Sequence, residues 1–458
     1  MAVRRQALRR ARSWSTDLMG TAGIATVVAV VALWLHGSGL QALTVGGAAA
    51  ATSAGRLTGL VASDLLLLQV FLMARVPWLE RAFGQDRLTR WHRYTGFASF
   101  WLMSAHVLLI VIGEAGTAQT NLLSEAWNIT VDEPGMLLAV AGTAALVAVT
   151  GLAIRAARRR LRYESWHLLH LYAYIGVGLA LPHQLWAGSD FVSSPGARAY
   201  WWSAYLCCAG SVLVFRLALP LWRSHRYGLR VERVVRETAD VFSIHLTGRG
   251  LRRMPVRAGQ FFTFRFLTGT GWTRAHPFSL SAAPRDDLLR ITIRSGGDDS
   301  ARIASARPGT RVLIEGPHGR LTATTRTRRQ ILLFGAGIGI TPLRALLEEL
   351  SFRPGEAVLV YRASTADNLP LRTELDTIAR RRGAAVHYLT GPAAAHGSWL
   401  PAWLGHLSDQ EALLRMVPGI RDHDVYLCGP EPWMAAVRQT LRRAQVPRGQ
   451  IHYESFAW

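Results

Sequence analysis

The chain has 458 residues, half of them hydrophobic and 18% charged, with a mean hydropathy of +0.15 and a formal net charge of +22. That length allows about two to four domains, and three cysteines (Cys207, Cys208 and Cys428) exclude a disulfide framework, a four-cysteine iron–sulfur site and a structural zinc site. Any redox chemistry therefore needs an organic cofactor or a metal held by other side chains. All 52 basic residues are arginine, and a single soluble domain does not combine such basicity with such hydrophobicity.

Position along the chain resolves the conflict. Long apolar runs fall before about residue 222, in six segments near 18–36, 57–76, 94–113, 135–154, 167–186 and 200–221, each matching the roughly 20 residues of a spanning helix. The first follows MAVRRQALRRAR and lacks a small-residue cleavage site after its long apolar core, so it reads as a retained span. The loops Arg75–Arg93 and Arg155–Arg162 are basic, whereas Gly113–Gly135 holds no arginine and carries Glu114, Glu125, Asp132 and Glu133. Positive charge marks the cytoplasmic side. Six spans then put both termini and the soluble half in the cytoplasm of a cell whose plasma membrane holds the first half. The arginines report orientation, and a nucleic-acid partner loses its main support.

The third segment holds His92 and His106, and the fifth holds His167, His170 and His183. Ionisable groups at membrane depth are functional candidates. Fourteen residues of helix return to within about 40° of the starting direction after a rise of about 21 Å. His92 and His106 therefore share one face across most of a hydrocarbon core about 30 Å thick, a geometry that suits two stacked haems, each taking one axial imidazole from this helix. On the fifth segment neither spacing returns to one face: His170 to His183 turns about 220° and His167 to His183 about 160°, with Pro182 placed to bend the helix. Spacing alone leaves His167 and His170 open. Asp64, in the second segment, reads as a partner for Arg56, with proton handling as the other reading.

From Tyr227 to about Thr325 short β-type runs alternate with glycine and proline, as in a small antiparallel barrel. Within it His276, Pro277, Phe278 and Ser279 bring together an aromatic ring, a strand backbone and a hydroxyl, a platform for a flavin. Downstream, Arg294, Gly297 and Ser300 offer a cation, a close-approach glycine and a hydroxyl for a pyrophosphate. The last third alternates strands and helices, which indicates a parallel α/β sheet. Its first strand runs into Gly335-Ala336-Gly337-Ile338-Gly339-Ile340-Thr341-Pro342. Glycines there let the backbone approach a diphosphate, with Thr341 expected to cap the next helix and Pro342 to sit in its first turn. Where NAD-specific sheets offer an acid to the ribose, the chain has Arg362, which favours the 2′-phosphate of NADPH. A later strand ends in Cys428-Gly429-Pro430 at the carboxyl edge, where Cys428 is placed to touch a nicotinamide.

This ordered set (histidine pairs on the third and fifth spans, HPFS, GAGIGITP, CGP and an aromatic C-terminus) resembles the ferric reductase and NADPH oxidase superfamily in its bacterial form, over nearly the whole chain. The resemblance implies a membrane all-α six-helix haem bundle (1–222), a cytoplasmic FAD-binding antiparallel β-barrel (223–326) and an α/β NADPH-binding domain (327–458). It implies two b-type haems, with His92 paired to His170 near the cytoplasm and His106 to His183 near the outside, and it selects His170 over His167. FAD would lie on the HPFS segment and NADPH on GAGIGITP and CGP, with Phe456 or Trp458 shielding the flavin. Electrons would pass from NADPH through FAD and both haems to oxygen or a ferric chelate outside. The residues also admit a membrane-anchored flavin reductase serving a cytoplasmic acceptor, or a nucleotide-regulated six-helix transporter.

Overall fold

The structure is a computed structural model that describes residues 2–153, 163–186, 188–192, 194–268 and 274–454. The basic loop 155–162 and the C-terminal aromatic residues Phe456 and Trp458 lie outside the described residues. The chain divides into two compact units, Met1–Arg216 and Leu217–Trp458.

In the first unit all six apolar segments are helical: α1 (Ala2–His36), α2 (Gly47–Leu72), α3 (Gln85–Ala118), α4 (Met136–Ala153), α5 (Tyr163–Trp186) and α6 (Pro195–Val212). By length and composition, four helices among the described residues can cross a membrane: α2, α3, α4 and Pro195–Tyr227. A fifth arises if Gly20–His36 and Gly39–Val45, bent by 60°, count as one. The helix α5 is long enough but is not in that set, because three histidines, Glu164 and Gln184 dilute its apolar run. Four or five spans among the described residues thus stand against the expected six.

These helices pack through small residues, as they must where lipid supplies no hydrophobic drive between them. A Cβ on Gly142 of α4 would lie 2.7 Å from the carbonyl of Gly176 on α5, so those backbones touch. Ser99 of α3 donates to the Ala62 carbonyl of α2 at 2.8 Å. Large apolar side chains such as Trp101 and Ile175 stay exposed, as a lipid-facing surface requires. The reading of Asp64 as a partner for Arg56 is corrected: Arg56 forms a bidentate pair with Asp190, its Nε donating at 2.6 Å, because the loop after α5 brings a second carboxylate to it.

The second unit starts with α7 (Leu219–Tyr227), whose Ser224 hydroxyl bonds the backbone of Ile314. Six strands follow: β1 (Arg230–Arg236), β2 (Val241–Thr247), β3 (Phe261–Phe266), β4 (His276–Ser279), β5 (Leu288–Arg294) and β6 (Val312–His318). They form two three-stranded antiparallel sheets, β1-β2-β5 and β4-β3-β6, linked by the bridges Arg230↔Arg311 and Leu280↔Ile291. Inward residues of both sheets, including Ile244, Phe262, Phe264 and Ile291, share one core. The last five strands, β7 (Gln330–Ala336), β8 (Ala357–Ala363), β9 (Ala385–Thr390), β10 (His423–Cys428) and β11 (Ile451–Glu454), form a parallel sheet in the order β11-β10-β7-β8-β9. Its central strands are continuous apolar runs because both faces are covered. One face packs under α8 (Ile340–Glu349) and α9 (Arg372–Arg382), the other under α10 (Asp409–Met416) and α11 (Glu431–Arg443).

A charged cluster ties the β-strand domain to this sheet. Glu374 of α9 accepts from Arg290 of β5 at 2.6 and 2.9 Å and from Arg344 of α8 at 2.9 Å. Arg344 also pairs with Glu348, which in turn accepts the Ala283 amide at 2.9 Å. Both arginines are buried. Burial pushes the Glu374 carboxyl up, but the Arg290 bond and the charges of Arg290 and Arg344 outweigh it and hold it below the ordinary value. A carboxylate with a depressed folded pKa stabilises above its unfolded pKa and loses that contribution as pH falls through the folded one. Glu374→Ala leaves two buried cations without their shared anion and should destabilise the second unit by about 3 kcal/mol, read as a lower denaturant midpoint. The difference from wild type should shrink as the pH is lowered below about 4.

Candidate redox site

The membrane histidines are positioned by backbone carbonyls of α2. Nδ1 of His92 lies 3.0 Å from the Gln69 oxygen, and Nδ1 of His106 lies 2.8 Å from the Gly55 oxygen. A carbonyl only accepts, so Nδ1 carries the hydrogen in each neutral ring and the Nε2 lone pair is left for a metal. The approach is close: a Cβ on Gly59 would sit 2.5 Å from the His106 ring. The helices bring the predicted partners together. His92 and His170 have ring centroids 5.9 Å apart at 79°, a separation that a metal bonded at about 2 Å to one nitrogen of each ring spans. The Nδ1 of His183 is buried and has no hydrogen-bond partner among the described residues. Pro182 lies inside α5 beside His183. Among the described residues no cluster of three or more histidine, cysteine or acidic side chains could hold a bare metal ion. Two imidazoles per site fit an iron whose remaining ligands belong to a porphyrin.

In the second unit, Phe278 lies near Phe264, at 6.3 Å and 27°, and near His276, at 6.0 Å and 12°. Ser279 ends β4 with a buried hydroxyl that has no hydrogen-bond partner among the described residues. A ring system with a hydrogen-bonding edge fits there. The pyrophosphate residues are less open than the sequence suggested. Ser300 caps its own loop, accepting the Gly296 and Gly297 amides at 3.0 and 3.1 Å. Arg294 pairs with Asp240 at 3.2 Å and donates to Asn368 at 3.1 Å.

At the carboxyl edge of the parallel sheet, Gly337–Gly339 forms a 3-10 turn leading into α8, and Gly337 has φ +54°. A Cβ on Gly339 would lie 2.5 Å from the Cys428 carbonyl and 2.8 Å from Gly429 Cα. The two glycine-containing loops therefore meet backbone to backbone. The expected cap is corrected: Gly339 is the N-cap and Thr341 lies inside the first turn with Pro342, its hydroxyl donating to the Ile338 carbonyl at 3.0 Å. The 3-10 turn starts the helix before Thr341 is reached. Gly335 packs against Leu343 and Ile340, and Pro430 precedes α11.

Arg362 is buried at the end of β8, with Nη1 donating to the carbonyls of Ala363 and Leu389. No carboxylate pairs with it among the described residues, and burial pushes its guanidinium pKa down. Burial pushes the Cys428 thiol up, and the neighbouring Glu454 carboxylate adds to this. Sequence reasoning gave Glu454 no role of its own. It is the register partner of Cys428 across β10 and β11 and accepts the Arg320 amide at 3.0 Å. In the sequence it stands two residues before Phe456.

Residues 58–181 match the family described as ferric reductase like transmembrane component, and residues 333–439 match the oxidoreductase NAD-binding domain. The chain is 30% identical over 235 residues to a 3-ketosteroid-9-alpha-monooxygenase ferredoxin reductase component of Rhodococcus rhodochrous, covering 50% of this chain and 64% of the relative. It is 24% identical over 250 residues to a flavohemoprotein of Oceanobacillus iheyensis, covering 51% of this chain and 60% of the relative. It thus spans less than two thirds of either curated relative. The flavohem-like FAD/NAD-binding domain of a nitric oxide dioxygenase from Vibrio cholerae is 22% identical, covering 50% of this chain and 99% of that one, with a TM-score of 0.41. The chain thus combines a segment similar to a ferric reductase like transmembrane component with a later segment similar to an oxidoreductase NAD-binding domain.

Proposed function

We propose that this chain is a transmembrane oxidoreductase that takes reducing equivalents from cytoplasmic NADPH and delivers electrons, by way of FAD and two b-type haems, to oxygen or a ferric chelate on the outer face. The observation that carries this reading is the His92–His170 ring pair, with His92 and His106 held at Nδ1 by carbonyls of α2 so that Nε2 is left for iron, and with the Nδ1 of His183 buried on α5. Six spans with both termini cytoplasmic put the acidic Gly113–Gly135 loop outside. When bound, flavin would supply the conversion of hydride to single electrons, and haem iron would supply one-electron transfer.

The chain's own residues hold and orient. His92 and His170 would hold the inner haem, His106 and His183 the outer one. Phe278 presents a flat apolar contact to the isoalloxazine, and the unpartnered Ser279 hydroxyl offers its edge a hydrogen bond. The Gly335–Gly339 loop approaches the nucleotide diphosphate. Cys428 stays protonated against the nicotinamide, with Glu454 beside it. A buried arginine without a carboxylate partner is a cation prepared for an anion, so Arg362 reads the 2′-phosphate.

Purified protein in detergent should show a Soret band, and His106→Ala or His183→Ala should remove about half of its haem while leaving the flavin spectrum unchanged. A wild-type chain with no Soret band rejects the haem assignment. In inverted vesicles, NADPH added outside should reduce a ferric chelate or a superoxide trap enclosed inside, and the trap that responds identifies the acceptor. Arg362→Ala should cut the NADPH over NADH preference by about tenfold or more, the worth of a charge-assisted hydrogen bond. Gly339→Ala forces a Cβ into the Cys428 backbone and should raise the dissociation constant for NADPH without changing haem content.

A further inference from the structure

The membrane unit holds a carboxylate that the electron path does not use. Asp64 of α2 is buried. Its Oδ1 accepts from the Tyr200 hydroxyl of α6 at 2.7 Å, and its Oδ2 accepts from the Thr26 hydroxyl of α1 at 3.0 Å. Arg56, the nearest arginine in sequence, is held by Asp190. The elements packed on α2 present other groups elsewhere: α3 brings His92, Ser99 and His106 to Gln69, Ala62 and Gly55, α5 brings Gln184 to Ser63, and α6 brings Cys208 to Leu67. Tyr205 is bound to Gln184. Tyr200 is therefore the titratable side chain that touches Asp64, and no cation among the described residues pairs with it.

Each hydroxyl on Asp64 has a second acceptor already within reach. The Thr26 hydroxyl lies 2.9 Å from the Gly23 carbonyl, and the Tyr200 hydroxyl lies 3.2 Å from the Thr26 carbonyl. When Asp64 is ionised both hydroxyl protons point to it, which partly offsets the cost of an unpaired charge at membrane depth. When Asp64 is protonated, its own O–H donates to one hydroxyl oxygen, whose proton turns to the waiting carbonyl. No donor is orphaned in either state, and a site that served only to pin three helices needs just one of the two patterns. Thr26 and Tyr200, whose hydroxyls touch the carboxyl, are themselves half-buried.

We propose that Asp64, Thr26 and Tyr200 form a reversible proton-binding site within the membrane unit, which takes one proton from water as the unit gains an electron. The proton adds to the Asp64 carboxylate and no other bond changes. The second clause rests on the electron-transfer reading above; the proton site itself does not.

The test is an infrared pH titration of the full chain in nanodiscs, with isotope-labelled aspartate to identify the carboxylic acid carbonyl stretch. A labelled band should fade as the pH rises and be absent from Asp64→Asn at every pH. Tyr200→Phe and Thr26→Val each remove a hydrogen bond to the ionised form, so each should raise the midpoint by about one pH unit, tenfold in proton affinity. These variants decide the matter even if Asp64→Asn does not fold. A labelled acid band that is absent or constant with pH in the wild type overturns the site. In haem-loaded protein the midpoint potential should fall with rising pH in the wild type and be flatter in Asp64→Asn; equal slopes overturn the coupling and leave the site. A chain that binds no haem overturns the electron-transfer reading, and the infrared result still decides the site.

Discussion

The two hydrogen bonds from membrane histidines to α2 carbonyls are the interaction on which the rest of the first unit depends. A helix in lipid has no water to satisfy a stray imidazole N–H, so the donor must find an oxygen on a neighbouring helix. His92 and His106 find theirs at Gln69 and Gly55, and this fixes the ring orientation and leaves the Nε2 lone pair for a metal. Gly59 then becomes a requirement, because any side chain there would enter the His106 ring. The same demand for internal partners explains the Arg56–Asp190 pair, the Gln184 contacts and the hydroxyls around Asp64. In water such groups would be surface ornaments; in lipid they specify which helices meet.

The second unit solves a different problem, that of holding an anionic cofactor near an apolar sheet. Burial on both faces makes β7 and β10 apolar runs, so the polar work is moved to their carboxyl ends. Gly339 and Gly429 allow the two loops there to touch, and Cys428 and Glu454 end adjacent strands in register. The arginines of the core, Arg290 and Arg344, are kept by sharing Glu374, and in doing so they lock the strand domain to the helices of the sheet. Charge that the composition presents as a bulk excess is thus partly spent on single, countable contacts.

Most of the architecture was legible because it rests on local pattern. Hydrophobic run length located the helices of the first unit, alternation and turn residues located the strands, and the strand, glycine loop and helix order located the nucleotide edge. The hydropathy of α5 shows the limit: the histidines that give it a function are the residues that lower its apolar score. Thr341 shows another, since a capping residue type followed by proline reads as a helix start, while a preceding 3-10 turn had already begun the helix.

The sequence by itself determined the two-part construction and the candidate histidines and loops, because run length, residue type and order along one chain carry that information. Only the tertiary structure decided which side chains meet. His92 faces His170, Arg56 turns to Asp190 and not to Asp64, Arg362 is buried against carbonyls, and Asp64 has two hydroxyl donors from helices far away in sequence. Pairing between distant elements depends on helix rotation and on the few glycines that let backbones touch, and neither of these is a property of a single segment.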